Sequence, residues 1–265
     1  MMFSLTRNFV LVFLALFVCG NVSLVQGTIL FHDNFESDGT DPGQDPVIGA
    51  GDIGGNWNIY EQVAGKDDGV QVENDPLIAN APITGNNFLH VTRVDRDTRK
   101  GYAEPTGWDI APTMEPGAIV TYSASLYMPS AGGNSTTYVM GEATNWDEIA
   151  GGLGVFGDGH ATEVHNWPGP VETLTAVLDQ WQEVSIVVDM DNQVYDLTVG
   201  SSTVTDLPFK HPVARIGFMY IASGADGSHF YLDNVKLTVV PEPSAVAMLG
   251  FSLASLLVFA WRRRR

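Results

Sequence analysis

Cysteine is almost absent from this 265-residue chain: its one thiol, Cys19, lies close to the start. A thiol-poor chain excludes a disulfide framework and a cysteine-based metal site. Its stability must come from a hydrophobic core, which a body of about 213 residues can supply. Positive charge is the second scarcity, with 13 Lys and Arg against 31 Asp and Glu, a formal net charge of -18. Between Thr28 and Val240 the imbalance deepens to eight basic and thirty acidic residues, a net of -22. Such a surface repels nucleic acid, whose recognition depends on Lys and Arg meeting phosphate. It equally disfavours docking on anionic lipid or acidic polysaccharide by charge alone. It fits a divalent cation, a neutral glycan, or plain solubility in a salty exterior. A sustained period of 3.6 is also missing from the body, which excludes an amphipathic helical architecture there.

Long apolar runs occur only at the two ends. Arg7 precedes the ten-residue run Phe9 to Val18, and a more polar stretch closes on Val25-Gln26-Gly27. A basic region, a short apolar region and a small residue predict a secretory signal peptide over residues 1–27, cleaved after Gly27. Val18 is too large for the position before a lipoprotein cysteine, so Cys19 is expected to leave with the leader. At the other end Pro241-Glu242-Pro243-Ser244 precedes an uncharged run, Ala245 to Trp261, and then Arg262, Arg263, Arg264 and Arg265. As a helix that run is roughly 26 Å long, within the lower range for a membrane span. The arginines would stay on the cytoplasmic side with Trp261 at the interface, leaving the body outside. This order of Pro-Glu-Pro, apolar span and arginine cluster resembles the PEP-CTERM sorting signal of Gram-negative bacteria. The resemblance implies an exosortase-type enzyme as partner, a transient hold on the inner membrane, and delivery to the cell surface or an exopolysaccharide matrix.

Residues 28–240 read as one all-β domain. Short apolar or alternating runs are separated by Gly, Pro, Asn and Asp. About thirteen strands are expected. Among them, Asn87 to Val94 alternates Phe88, His90 and Thr92 against Leu89, Val91 and Arg93. Ala118 to Met128 places Val120, Tyr122, Ala124, Leu126 and Met128 on one face. Trp181 to Asp189, a turn over Met190 to Gln193, and Val194 to Val199 form a hairpin. Lys100 to Glu104 is expected to end before Pro105, and Thr162 to Trp167 before Pro168. So many strands in one unit point to a two-sheet antiparallel jelly-roll sandwich. The hairpin with its leading tryptophan, and the last strand Phe230 to Leu237, resemble the concanavalin A-like lectin and glucanase fold, in particular its laminin-G-like members.

Catalytic signatures are missing. Glycoside hydrolysis needs two carboxylates across a groove, and the Glu-x-Asp-x-x-Glu strand pattern that the resemblance would imply does not occur; nor does the Gln-x-His of polysaccharide lyases. Glu142 with Asp147 and Glu148 has the wrong spacing and reads as a loop. In His160-Ala161-Thr162-Glu163-Val164-His165 a strand would put Glu163 and His165 on one face, but a zinc site would still need further partners. If the sandwich has a sugar groove, Trp146, Glu163, His165 and Trp167 are the candidate lining residues, whereas Trp181 at a strand start reads as core. Calcium, which takes six to eight oxygens, is the expected metal if there is one. The fold resemblance implies first and last strands side by side, bringing Asp33, Glu36 and Asp38 near Asp233; the Asp-rich loops at Asp41 to Asp52 and Asp67-Asp68-Gly69 are alternatives, and the reading without an ion is that these Asp residues serve turns. Three functions stay open on sequence: a non-catalytic surface or matrix protein, with or without glycan binding; a secreted glycan-active enzyme without the usual motifs; and an adhesive protein-binding module. With no catalytic motif, the first is the expectation.

Overall fold

A computed structural model of the chain describes residues 28–35, 56–61, 70–73, 87–95, 99–106, 119–140, 149–163, 173–213, 216, 218–223 and 227–240. All lie in one compact unit, Thr28–Pro241. The expected signal peptide and the apolar run 245–261 lie outside the described residues, and among those residues no helix is long and apolar enough to cross a membrane. Among the described residues fifteen strands follow one another: β1 (Thr28–Asp33), β2 (Asn56–Glu61), β3 (Val70–Glu73), β4 (Phe88–Asp95), β5 (Arg99–Thr106), β6 (Ile119–Tyr127), β7 (Asn134–Met140), β8 (Ile149–Phe156), β9 (His160–Glu163), β10 (Thr173–Thr175), β11 (Trp181–Asp189), β12 (Val194–Val199), β13 (Ser202–Pro208), β14 (Phe218–Ala222) and β15 (Ser228–Val240). The all-β expectation holds in two antiparallel sheets, with no helix among the described residues.

The first sheet runs β3-β4-β15-β6-β11-β12-β13, with β1 also on β15, and the second β10-β9-β8-β7-β14-β5-β2; a short β4–β5 ladder, Arg93 with Lys100 and Asp95 with Arg99, joins the two at one corner. Alternation decides which side of the first sheet is covered. Val120, Tyr122, Ala124, Leu126 and Met128 are all buried, as are Val184, Ile186 and Val188 across the ladder. These residues meet Leu153, Val155, Met219 and Ile221 of the second sheet in one core. β8 does not alternate: Ile149 to Val155 is buried throughout. Its glycines supply room rather than side chains, and a Cβ on Gly151 would stand 2.7 Å from the Tyr195 ring of β12. Burial lifts the Tyr122 phenol far above its ordinary pKa, with Thr137 of the facing sheet pulling slightly the other way.

β15 is the axis of the first sheet. Ser228 to Leu232 pairs with β4, and Val235 to Val239 pairs with β1, while β6 runs along the opposite side. Two partners can share one side because a bulge between Asp233 and Lys236 bends the strand. Asn234 sits there at φ 50°, a left-handed position that Asn tolerates, and its Oδ1 lies 2.7 Å from His32 Nε2. The β11–β12 turn falls on Met190 to Gln193, as expected. Asp189 Oδ1 accepts the N–H groups of Asp191 at 3.0 Å and Asn192 at 2.9 Å, the local bonding that makes Asp a turn residue.

Several boundaries differ from expectation. β5 continues through Pro105 because β2 pairs with it there while the β14 ladder stops at Ala103, so the proline has a ladder on one side only. β9 begins at His160, and residues 164–172 lie outside the described residues. β10, three residues long, pairs with β9 and was not expected.

Candidate functional site

The side of the first sheet that faces away from the core carries an aromatic array. Trp181, Tyr127, Tyr231 and His90 are successive register partners across β11, β6, β15 and β4. One row along, Glu183, Ser125 and Asp233 are partners in the same way. The rows arise from the period of two: counting from the buried Val184, Ile186 and Val188, Trp181 and Glu183 must point to the other face. The structure therefore corrects the reading of Trp181 as core. It is half-buried on the outward face, packed edge-on against Phe88 at 5.9 Å and Tyr127 at 5.7 Å.

Four rings close a circuit. Tyr127 meets Tyr231 at 5.8 Å and Tyr231 meets Phe88 at 5.4 Å, again edge to face. Such pairs contribute about 0.5–1.5 kcal/mol each beyond their buried area, enough to hold the rings in fixed orientations. Phe88 is fully buried and Tyr231 nearly so, although both point away from the inter-sheet core. They form the floor, over which Tyr127 and Trp181 stay partly exposed. His90 stacks on Tyr231 at 4.4 Å, and His229 stands edge-on to both rings at 5.5 and 5.8 Å.

Polar groups border the array. Ser125 donates to Glu183 Oε1 at 2.8 Å. At the strand ends, the N–H of Asp179 donates to Met128 O at 2.9 Å, and Asp179 Oδ1 accepts the Ser130 N–H at 3.0 Å. Gln182 points inward and clasps Val177 by both its N–H (3.0 Å) and its C=O (2.9 Å), which fixes the turn that presents Asp179. The Ser130 backbone N–H, followed by the Ser130 side chain, holds the Asp179 carboxyl below the usual range. Partial burial, and then the Asp179 charge, raise the Tyr127 phenol. The arrangement can stack a flat apolar ring face and accept hydrogen bonds from hydroxyl or ammonium groups; nothing in it is an activated nucleophile.

The chain leaves this sheet through the last residues of β15, Val239 and Val240, which enter Pro241-Glu242-Pro243 directly. Residues 239–265 match the PEP-CTERM protein-sorting motif. A sorting motif marks an exported surface protein, and the PEP-CTERM segment thus begins inside the central strand of the sheet that carries the aromatic array. No curated protein matches the chain. Among solved structures it is similar to an endo-1,3-beta-glucanase from Streptomyces sioyaensis, with 18% identity over 81% of this chain and 97% of that one and a TM-score of 0.47. It is similar to a GH131 beta-glucanase catalytic domain from Podospora anserina, with 12% identity over 80% and 96% of the two chains and a TM-score of 0.48. A sialidase is similar at 16% identity and a TM-score of 0.46, over 68% of this chain but only 16% of the sialidase. At these identities and scores the likeness says nothing about the activity of this chain.

The residues expected to line a sugar groove are not those of the array. Glu163 closes β9 in the second sheet, opposite Leu153. Trp146, His165 and Trp167 lie outside the described residues, as do Pro241, Glu242, Pro243, Ser244 and the four arginines of the PEP-CTERM tail. His160, the first residue of β9, stacks on Phe156 at 4.5 Å and bonds Asp158, closing the turn between β8 and β9. The Asp158 carboxyl is lowered chiefly by the His160 backbone N–H. Of the proposed calcium ligands, Glu36 and Asp38 lie outside the described residues. β1 and β15 do lie side by side, but Asp33 pairs with the core-facing Val235, whereas Asp233 pairs with the outward Ser125. The sheet stands between the two carboxylates. Asp33 Oδ1 accepts the Phe35 N–H at 2.8 Å and Asp233 Oδ1 the Asn234 N–H at 2.6 Å. No group of three or more His, Cys, Asp or Glu side chains converges among the described residues.

Proposed function

We propose that the chain is an exported, non-catalytic surface or matrix protein that binds glycan on the outward face of its first sheet. The observation that carries this reading is the half-exposed pair Tyr127 and Trp181, held over a buried floor of Phe88 and Tyr231 beside the Glu183–Ser125 hydrogen bond. A sugar ring offers an apolar face to an aromatic and hydroxyl groups to a carboxylate, which is the combination present. The net charge of -22 over Thr28 to Val240 favours uncharged or cationic glycans. In this reading an exosortase-type enzyme recognises Pro241 to Ser244 and the arginines, and releases the sandwich from the inner membrane to the cell surface or exopolysaccharide. The test is a glycan array probed with the full chain in a detergent free of sugar headgroups, beside Tyr127→Ala and Glu183→Gln. Retention of at least one glycan, weakened in both variants, is expected. No retained glycan would sink the reading, and release of reducing ends from a polysaccharide panel would show an enzyme instead.

A further inference from the structure

We propose that the array selects glycans with free amino groups, taking them as ammonium ions in preference to their N-acetylated or acidic counterparts; this rests on the glycan reading above. Trp181 is bracketed two residues away on each side by exposed carboxylates, Asp179 and Glu183. Neither is a free-swinging surface acid. Asp179 is tied to the Ser130 N–H and, through its own N–H, to Met128 O. Glu183 accepts from Ser125, itself fully buried. Both negative charges are thus placed before a ligand arrives, and little side-chain freedom is lost on binding. The Asp179 charge already reaches into the array, where it opposes ionisation of Tyr127.

The ring faces act in the same direction. A cation over the face of Trp or Tyr is attracted by the ring quadrupole, and Tyr127 and Trp181 are the two partly exposed members. Behind them Asp233, 3% exposed, is the register partner of Ser125 on the side opposite Glu183. Among the described outward positions of β4, β6, β11 and β15 the fixed cation is Lys236, one row beyond Asp233 and opposite Ser123. His90 and His229 stand at the other border. The ammonium groups of such a glycan therefore find an anchored carboxylate on either side of the Trp181 ring, at Asp179 and at Glu183, an N-acetyl group loses the charge, and a uronate meets repulsion.

Calorimetry on the full chain at neutral pH, with glucosamine, N-acetylglucosamine and uronate oligomers of equal length as probes, tests the selection. Two exposed ion pairs predict roughly three- to tenfold tighter binding of the glucosamine oligomer at low salt, an advantage that shrinks as salt screens it. The double variant Asp179→Asn, Glu183→Gln, whose exposed isosteric changes leave the core untouched, should abolish the advantage, so that the glucosamine and N-acetylglucosamine oligomers bind with equal affinity, both more weakly than the parent binds the glucosamine oligomer. Equal affinity of the parent for the two oligomers, or an advantage that survives in the double variant, overturns amine selection and leaves glycan binding standing. Absence of binding to all three oligomers, together with an empty glycan array, overturns both.

Discussion

Replacing Gly151 by alanine should destabilise the sandwich, and the size of the effect follows from one contact. The added Cβ would stand 2.7 Å from Tyr195 Cε1 and Cζ and 2.8 Å from Cδ1. Carbon atoms prefer about 3.5–4.0 Å, so the ring must move by roughly 0.8 Å or the sheets must part. Neither is easy. Tyr195 is 1% exposed and lies between Val188 and Leu207. On the same strand as Gly151, the carbonyls of Ala150 and Ile149 are bonded by the N–H groups of Lys210 and His211 at 3.0 and 3.1 Å, which fixes the gap. Overpacking of this kind costs about 1–3 kcal/mol. Loss of glycine freedom in the unfolded chain offsets roughly 0.4–1 kcal/mol. A net loss of about 1–2 kcal/mol should lower Tm by about 2–8 °C for a body of this size. Circular-dichroism melts and urea titration read it directly. Trimming the ring supplies the control: in Tyr195→Leu the same Gly151→Ala change enters vacated space, and the pair should couple by about 0.5–3 kcal/mol in the compensating sense. A Gly151→Ala protein that melts no lower than the parent, or a strictly additive double variant, would refute the face-to-face packing of β8 on β12.

Gln182→Leu strips the clasp from both the N–H and the C=O of Val177; stranded polar groups should cost about 1–3 kcal/mol, read as a lower urea midpoint. The Asp158, Asp179 and Asp189 carboxyls all sit below their ordinary range, chiefly through the backbone N–H groups of His160, Ser130 and Asn192 respectively. In each the folded state binds fewer protons than the unfolded one, so the stabilisation is present above the ordinary carboxyl pKa of about 4 and is lost as pH falls through the depressed values. Urea midpoints from pH 5 down to 2 should therefore fall, and Asp189→Asn should flatten the decline; an unchanged slope would remove Asp189 from the account. A calcium ion ligated around Asp33, Glu36 and Asp38 predicts a lower melting midpoint with chelator and recovery on adding calcium, while an unchanged midpoint eliminates that site.

Much of the sheet layout is legible in the sequence. The β11–β12 hairpin alternates so regularly that its limits and turn match residue for residue. The same alternation held the correction to Trp181: stepping back by two from Val184 reaches the buried Gln182 and leaves Trp181 with Glu183 and Ser185 on the other face, and its position at the strand start obscured this. β10 escaped because Thr173-Leu174-Thr175 is too short to show a period. β8 shows no period in sequence, because three of its residues are glycines with no side chain to alternate. The array itself could not be read from sequence, since Phe88, Tyr127, Trp181 and Tyr231 belong to four strands whose registers only the folded sheet defines.

The pairing of Thr28 with Val239 in antiparallel β1 and β15 has a mechanical consequence. Tension applied between the two ends of the sandwich would open that ladder like a zipper, one hydrogen bond after another, at low force. Tension applied at Pro241 against a ligand gripped by Tyr127 and Trp181 follows another path. Tyr127 stands at the far end of β6, and β6 runs antiparallel beside β15 from Ile119–Val240 to Tyr127–Tyr231. That load shears the whole ladder at once. The β1–β15 ladder therefore yields to a pull on the two ends of the sandwich one bond at a time, whereas a pull between Val240 and the Tyr127 end of β6 loads the β6–β15 ladder all at once.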